Sequence, residues 1–142
     1  MDCPFCEGET KVLESRLVED AVRRRRECLR CAQRFTTYEE AFFQLTVLKK
    51  DGRIQPFDAE KITRSVAKAC VKADPETVLS LGKRVEQKLL AQGKKQFSTK
   101  EIGRRVLQEL RKHDKMAYVR FASIHKEIED PQLLKKEVSM IA

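Results

Sequence analysis

Two Cys-x-x-Cys pairs, Cys3-Pro4-Phe5-Cys6 and Cys28-Leu29-Arg30-Cys31, lie on either side of residues 7–27. Their spacing constrains the N-terminal fold more than any other feature. Each pair can close a tight knuckle that turns both sulfurs toward one ion, and four thiolates complete a tetrahedral shell. A closed shell leaves no open coordination position, so the expected ion is one structural Zn2+ per chain. A segment of roughly 40 residues cannot bury much core. The metal supplies the folding energy instead, on the order of 10 kcal/mol in comparable small sites. The competing readings are redox pairs, two disulfides or free thiols. A thioredoxin-type centre needs one such motif beside a βαβ unit, and no such pattern is present. The fifth cysteine, Cys70, shares an apolar stripe with Ile62 and Val66 and reads as core.

Four consecutive arginines, Arg23 to Arg26, run up against the second pair. Four thiolates around Zn2+ carry a formal −2, so nearby cations ease deprotonation, but one or two would suffice. On a strand the four project alternately to both faces. Arginine also makes forked contacts to phosphates and guanine edges. The plainer alternative is a solvated run that keeps the segment soluble. The acidic pair Glu19-Asp20 between the cysteine pairs invites comparison with the acidic tip of transcript-cleavage zinc ribbons, although an ordinary turn accommodates both residues.

Charge is unevenly distributed. The chain carries a net +8, which favours anionic partners such as nucleic acid or nucleotides. Between Arg16 and Arg34 there are seven arginines, no lysine and three acids. No apolar run approaches the roughly 18 residues of a membrane span. Met1-Asp2-Cys3 opens without a secretory pattern. The expectation is a cytoplasmic protein, associated with the nucleoid when bound to DNA, with no membrane partner.

From Thr46 onward the pattern changes from strand-like to helical, with a boundary near Ala41 to Leu45. Phe43 to Lys49 and Arg53 to Phe57 read as two strands joined by a two-residue turn at Asp51-Gly52. Asp58 caps a helix carrying Ile62, Val66 and Cys70. Asp74-Pro75 starts a second helix with Val78, Leu81, Val85 and Leu89, and Gly93 stops it. Ser98-x-x-Glu101 is a capping box for a third helix with Ile102, Val106 and Leu110 inward. Ala117, Phe121, Ile124 and Ile128 mark a fourth. The tail from Gln132 to Ala142 reads as a short amphipathic helix, with Leu133, Leu134, Val138 and Ile141 on one side and little to bury against. The fold class is therefore α+β, a small β unit followed by a β-hairpin and four-helix unit.

No Walker loop is present, because Thr77 and Lys88 stand where glycine is needed before Gly82-Lys83 and Gly93-Lys94. Lys49 and Lys50 on the hairpin, Lys61 in the first turn of the next helix and that helix's N-terminal amides could surround a phosphate; a basic solvated surface is the alternative. His113 and His125 have no ligand or triad spacing, and no nucleophile motif occurs. The chain is not expected to be an enzyme.

The motifs CPFC, RRRRECLRC with AQRFTTYE, VLKKDGRIQPFDAEKI and AYVRFAS, in this order and spacing, resemble the bacterial NrdR family, repressors of ribonucleotide reductase genes. The resemblance reaches to about Ile128. It implies a DNA-binding zinc ribbon at 1–42, with its finger at 3–31, an ATP-cone at 46–136 and a tail at 137–142. It also implies a zinc-dependent repressor that senses ATP and dATP as effectors, forms nucleotide-controlled homo-oligomers and binds double-stranded DNA operator boxes. Cys3, Cys6, Cys28 and Cys31 match the zinc ligands. Arg24, Arg25 and Arg26, with Arg16 and Arg34, match the basic ribbon face. Val47, Lys49, Lys50, Lys61 and Tyr118 fall in the stretches that line the nucleotide pocket. Lys50 stands where arginine is common in the family, and Ala32 replaces a frequent glycine. The alternative function is an accessory protein whose ATP-cone binds an enzyme directly. The apolar tail and the logic of two half-sites argue against a monomer.

Overall fold

The computed structural model describes residues 1–142, which divide into two compact units, Met1–Phe43 and Gln44–Ala142. In the first, three antiparallel strands, β1 (Thr10–Val18), β2 (Ala21–Cys28) and β3 (Arg34–Glu39), pair in the order β1-β2-β3. The arginine run thus occupies the central strand. Val18 pairs with Ala21, so Glu19 and Asp20 form the hairpin turn, with Glu19 at φ 53°. That placement gives the acidic pair an ordinary turn role. Cys3 and Cys28 are the only fully buried residues of this unit. Without an apolar interior, the cysteine cluster is its core.

The second unit begins with β4 (Thr46–Leu48) and β5 (Ile54–Pro56), an antiparallel hairpin. The connection differs from the expected two-residue turn. Lys49 and Arg53 still bond through the Lys49 N–H and Arg53 carbonyl at 2.8 Å, which leaves Lys50-Asp51-Gly52 as a three-residue loop. Gly52 takes φ 86°, the left-handed position that such loops reserve for glycine. The Asp51 carboxylate accepts from the Arg53 amide at 3.1 Å and favours this longer turn over the two-residue one.

Helix α1 (Ala59–Ala69) is capped by Asp58, and α2 (Pro75–Leu90) by Asp74 with Pro75 in its first turn. A third strand, β6 (Gln96–Ser98), lies parallel to β4 and completes a sheet of order β5-β4-β6. Sequence reading misses it because three residues show no period and the partner strand is distant in the chain. Its central Phe97 is fully buried. Ser98 and Glu101 form the expected capping box on α3 (Thr99–His113). Helix α4 (Lys115–His125) follows, capped by Asp114, and α5 (Pro131–Ile141) is capped by Asp130. The fifth helix is the short amphipathic one expected from Gln132 onward, after the four of the bundle.

The predicted inward faces of α1, α2 and α3 are the observed ones. Val66, Cys70, Val85, Leu89, Val106 and Leu110 share one core. The face of α4 is rotated from the predicted one, with Ala117, Tyr118 and Ala122 inward and Ile124 79% exposed. The helix ends at His125, so Ile128 does not continue its stripe. The amphipathic segment from Gln132 is α5, and the tail at 137–142 is its second half. Ile141 joins the core, while Leu133 and Val138 are exposed. The buried polar residue on α5 is Glu137, whose carboxylate accepts from the Tyr118 hydroxyl at 2.5 Å and from Lys126 Nζ at 2.6 Å.

Candidate metal centre, arginine ribbon and nucleotide cleft

The two cysteine knuckles are near-copies of one another. The Glu7 N–H donates to the Cys3 carbonyl at 2.8 Å and the Ala32 N–H to the Cys28 carbonyl at 3.1 Å. Glu7 and Ala32 both adopt left-handed backbone, at φ 58° and 59°. Within each knuckle an amide points at the first sulfur, Phe5 N–H to Cys3 Sγ at 3.4 Å and Arg30 N–H to Cys28 Sγ at 3.3 Å. These donors favour thiolates. All four Sγ atoms lie within 4.8 Å of one another, with Cys3 to Cys31 at 3.7 Å and Cys6 to Cys28 at 3.5 Å. A tetrahedral shell with Zn–S bonds of about 2.3 Å puts its sulfurs about 3.8 Å apart. A disulfide needs about 2.0 Å. The cluster therefore fits zinc and excludes the disulfide reading.

The electrostatics are consistent with a cation at this position. The Cys31 and Arg30 amides and the neighbouring Cys6 and Cys31 thiols bring the Cys28 thiol down to about 6. The Cys31 thiol, although the Gln33 amide pulls it down, is pushed up to about 12 by burial and by the Cys6, Cys28 and Cys3 sulfurs. Opposite shifts on neighbouring sulfurs show that negative charge at one opposes it at the next, which a cation among them relieves. Zn2+ is such a cation.

Register places the arginines on opposite sides of the ribbon, since directly opposed residues share a face. Arg23 opposes Arg16 and Tyr38, and Arg25 opposes Glu14 and Thr36. Arg24 opposes Ser15 and Thr37, and Arg26 opposes Val12 and Phe35. Arg26 is held by the ribbon itself, with Nε donating to Thr37 Oγ1 at 3.3 Å and a terminal nitrogen to Thr10 Oγ1 at 3.4 Å. Arg24 pairs with Glu39 at 3.0 Å, and its Nε is buried without a partner. Arg16 pairs with Glu14 at 2.5 Å, and Arg34 with Glu27 at 2.8 Å. Arg25 is exposed, and the ribbon's ion pairs include neither it nor Arg23.

The five expected nucleotide residues fall into two adjacent cavities. Val47, Lys49 and Lys61 line one, beneath the β4-β5 hairpin, together with Phe57, Gly103 and Phe121. Lys50 and Tyr118 line the other, a cleft of about 640 Å³ that also takes Lys100, Arg104, Arg111 and Lys126. His125 lines both. Lys50 turns away from Lys49 and pairs with Glu127 at 2.8 Å. Tyr118 is tied to Glu137, and burial followed by that carboxylate pushes its phenol up to about 12.

The cap expected at Asp58 is present, whereas the position of His125 lay outside the sequence reading. The Asp58 carboxylate caps α1 by accepting from the Glu60 amide at 3.0 Å, so that amide is already engaged. His125 stacks on Phe121, with ring centroids 5.6 Å apart, and lies so close to Gly103 that a Cβ there would meet the imidazole at 2.0 Å. Burial, then Lys50 and Lys126, hold that imidazole below its ordinary range, so it is neutral near pH 7. Its solitary spacing in the sequence gave no signal for this position.

Residues 1–39 match the family model described as the N-terminal domain of Transcriptional repressor NrdR-like proteins, and residues 45–131 match the ATP cone domain. The chain is 43% identical over 147 residues to the Transcriptional repressor NrdR of Finegoldia magna, covering 99% of this chain and 98% of that protein. This chain belongs to the NrdR family. The NrdR of Kosmotoga olearia is 45% identical over 137 residues, covering 92% of this chain and 86% of its own length. That of Symbiobacterium thermophilum is 43% identical over 146 residues, at 99% and 97% coverage. The cysteine cluster is thus the centre of an NrdR-type zinc ribbon, and both cavities lie in the segment beginning with the ATP cone. No helix is long and apolar enough to cross a membrane.

Proposed function

We propose that the chain is a zinc-dependent transcriptional repressor that senses ATP and dATP through its cone and binds operator DNA of ribonucleotide reductase genes through its ribbon. The observation that carries this reading is the union, in one chain, of a closed four-thiol centre supporting an arginine strand with a cone whose clefts are lined by cations. The zinc is structural. It holds the knuckles and, through Cys28 at the end of β2, the strand that presents arginine to the duplex. Arginines beyond what a thiolate cluster needs suit phosphate and base-edge contacts.

In the cone, the wall formed by Val47, Phe57 and Phe121 suits an adenine and its sugar, with Lys49 and Lys61 beside it. The neighbouring cleft carries Lys50, Lys100, Arg104, Arg111 and Lys126, which suits the charge of a triphosphate. Nucleotides filling these clefts set the oligomeric form, and that form decides whether paired ribbons reach two half-sites together. An accessory protein that docks on an enzyme would have no use for the arginine strand.

The test is size-exclusion chromatography with light scattering in ATP, dATP and both, followed by binding of each peak to a duplex from a ribonucleotide reductase promoter. We expect the mass to change with nucleotide and the duplex to bind one form at least about tenfold more tightly, a difference of about 1.4 kcal/mol. Equal mass and equal affinity in every state would overturn the sensing reading.

A further inference from the structure

The register of the ribbon divides its charge unequally. One face gathers Lys11, Arg16, Arg23, Arg25 and Arg34 against two acids, Glu14 and Glu27, a formal +5 − 2 = +3. The reverse face has Arg24 and Arg26 against Glu39, a formal +2 − 1 = +1, amid Val12, Leu17 and Phe35. The two faces also differ in what their arginines already touch. Arg26 is held by Thr37 and Thr10 through its Nε and one terminal nitrogen, and Arg24 is bound to Glu39 with its Nε shut off from solvent. Arg23 and Arg25 are in none of the ribbon's ion pairs. Lys11, Arg16 and Arg34 keep 52%, 68% and 64% of their side chains exposed even while paired.

Arg16 and Arg23 are direct cross-strand partners. Like charges in that position destabilise a hairpin. Glu14 pairs with Arg16 at 2.5 Å, but no carboxylate pairs with Arg23, and an anion seated between the two arginines would complete the balance. Local rules broken in this way mark functional surfaces. Tyr38, 60% exposed, stands on the other side of Arg23, and Thr36 beside Arg25. Both offer hydroxyls for phosphate oxygens.

We propose that the DNA-facing surface of the ribbon is the face of Lys11, Arg16, Arg23, Arg25 and Arg34, whereas Arg24 and Arg26 brace the ribbon from behind. The assignment rests on the reading of the first unit as a duplex-DNA binder. It brings in Arg23 and Lys11, which the sequence motif did not single out, and moves Arg24 and Arg26 from contact to support.

The test compares two full-chain double variants, Arg23→Gln/Arg25→Gln and Arg24→Gln/Arg26→Gln, by binding to a ribonucleotide reductase promoter duplex across a salt titration, with zinc content and thermal unfolding of each. We expect the first to bind at least about tenfold more weakly and to lose about 1.8 from the log–log salt slope, two phosphate contacts at about 0.9 each, with zinc content unchanged. The second should stay within about threefold of the parent in affinity and salt slope, while its ribbon unfolds at lower temperature. Arg25→Gln alone, at an exposed position, should remove about one contact from the slope and keeps the assignment testable if the first double variant folds poorly. Parent-like binding by both Arg25 variants, or a slope loss from Arg24→Gln/Arg26→Gln as large as from the first, would overturn the face assignment. A parent protein that binds no promoter duplex in any nucleotide state overturns the DNA reading itself, and the assignment with it.

Discussion

Ala32 sits at φ 59°, where an L side chain crowds its own backbone. The conformation is imposed by the knuckle, since the Ala32 amide must reach the Cys28 carbonyl to turn Cys31 toward the metal. Left-handed backbone costs a non-glycine residue about 1–2 kcal/mol, and glycine returns part of that gain as unfolded-state entropy. Ala32→Gly should therefore stabilise the ribbon by about 0.5–1 kcal/mol. The measurement is the chelator concentration that strips half the zinc from the full chain; no increase over the parent would contradict this account. At this scale the sequence was legible wherever chemistry depends on residue type, as at Cys3, Cys6, Cys28 and Cys31. It was silent on which neighbour a long side chain selects. Lys49 and Lys50 are adjacent in the chain but line separate cavities, because consecutive residues beside a strand diverge and Glu127 captures the second.

Between elements, α3 and the end of α4 approach closely at Gly103. Gly103 makes room for the His125 ring, which reaches both cavities. Gly103→Ala adds one methyl where the ring already stands. Overpacking of this kind costs about 1–3 kcal/mol, and the displaced imidazole should disturb both cavities, so nucleotide binding should weaken with it. In a His125→Ala background the same glycine substitution should cost close to nothing. Thermal unfolding of the four proteins reads the coupling, and additive losses would sink the explanation. Caps and stripes made α1, α2 and α3 legible, because Asp58, Asp74 and the Ser98–Glu101 box are local hydrogen-bonding devices. The face of α4 was not. Its apolar residues lie on more than one side, and contact with α1, α3 and α5, not periodicity, selects the Ala117–Tyr118–Ala122 side.

The molecule as a whole joins two units stabilised by different physics. The first has a four-cysteine cluster for a core, and the second has a conventional apolar one centred on Phe97, Leu89 and Leu110. Zinc removal from the full chain by a strong chelator should unfold the ribbon and abolish duplex binding. The thermal transition of the cone should remain, because none of the four ligands belongs to it. Calorimetry with and without chelator checks this, and loss of both transitions together would show that the cone's stability depends on the metal too.

The sequence by itself determined the metal centre, the strand that carries the arginines, the caps of the first three helices and the membership of their core. Each follows from residue chemistry at short separation: thiolate spacing, period-2 and period-3.6 patterning, and hydroxyl or carboxylate groups beside free amides. Only the tertiary structure decided the parallel pairing of β6 with β4, the docking of α5 through Ile141 and Glu137, the placement of His125 over Gly103 and the face on which each arginine lies. These depend on contacts between distant segments. The free energy of burying Phe97 or of satisfying Glu137 arises only when both partners have arrived, and no local pattern in either segment records it.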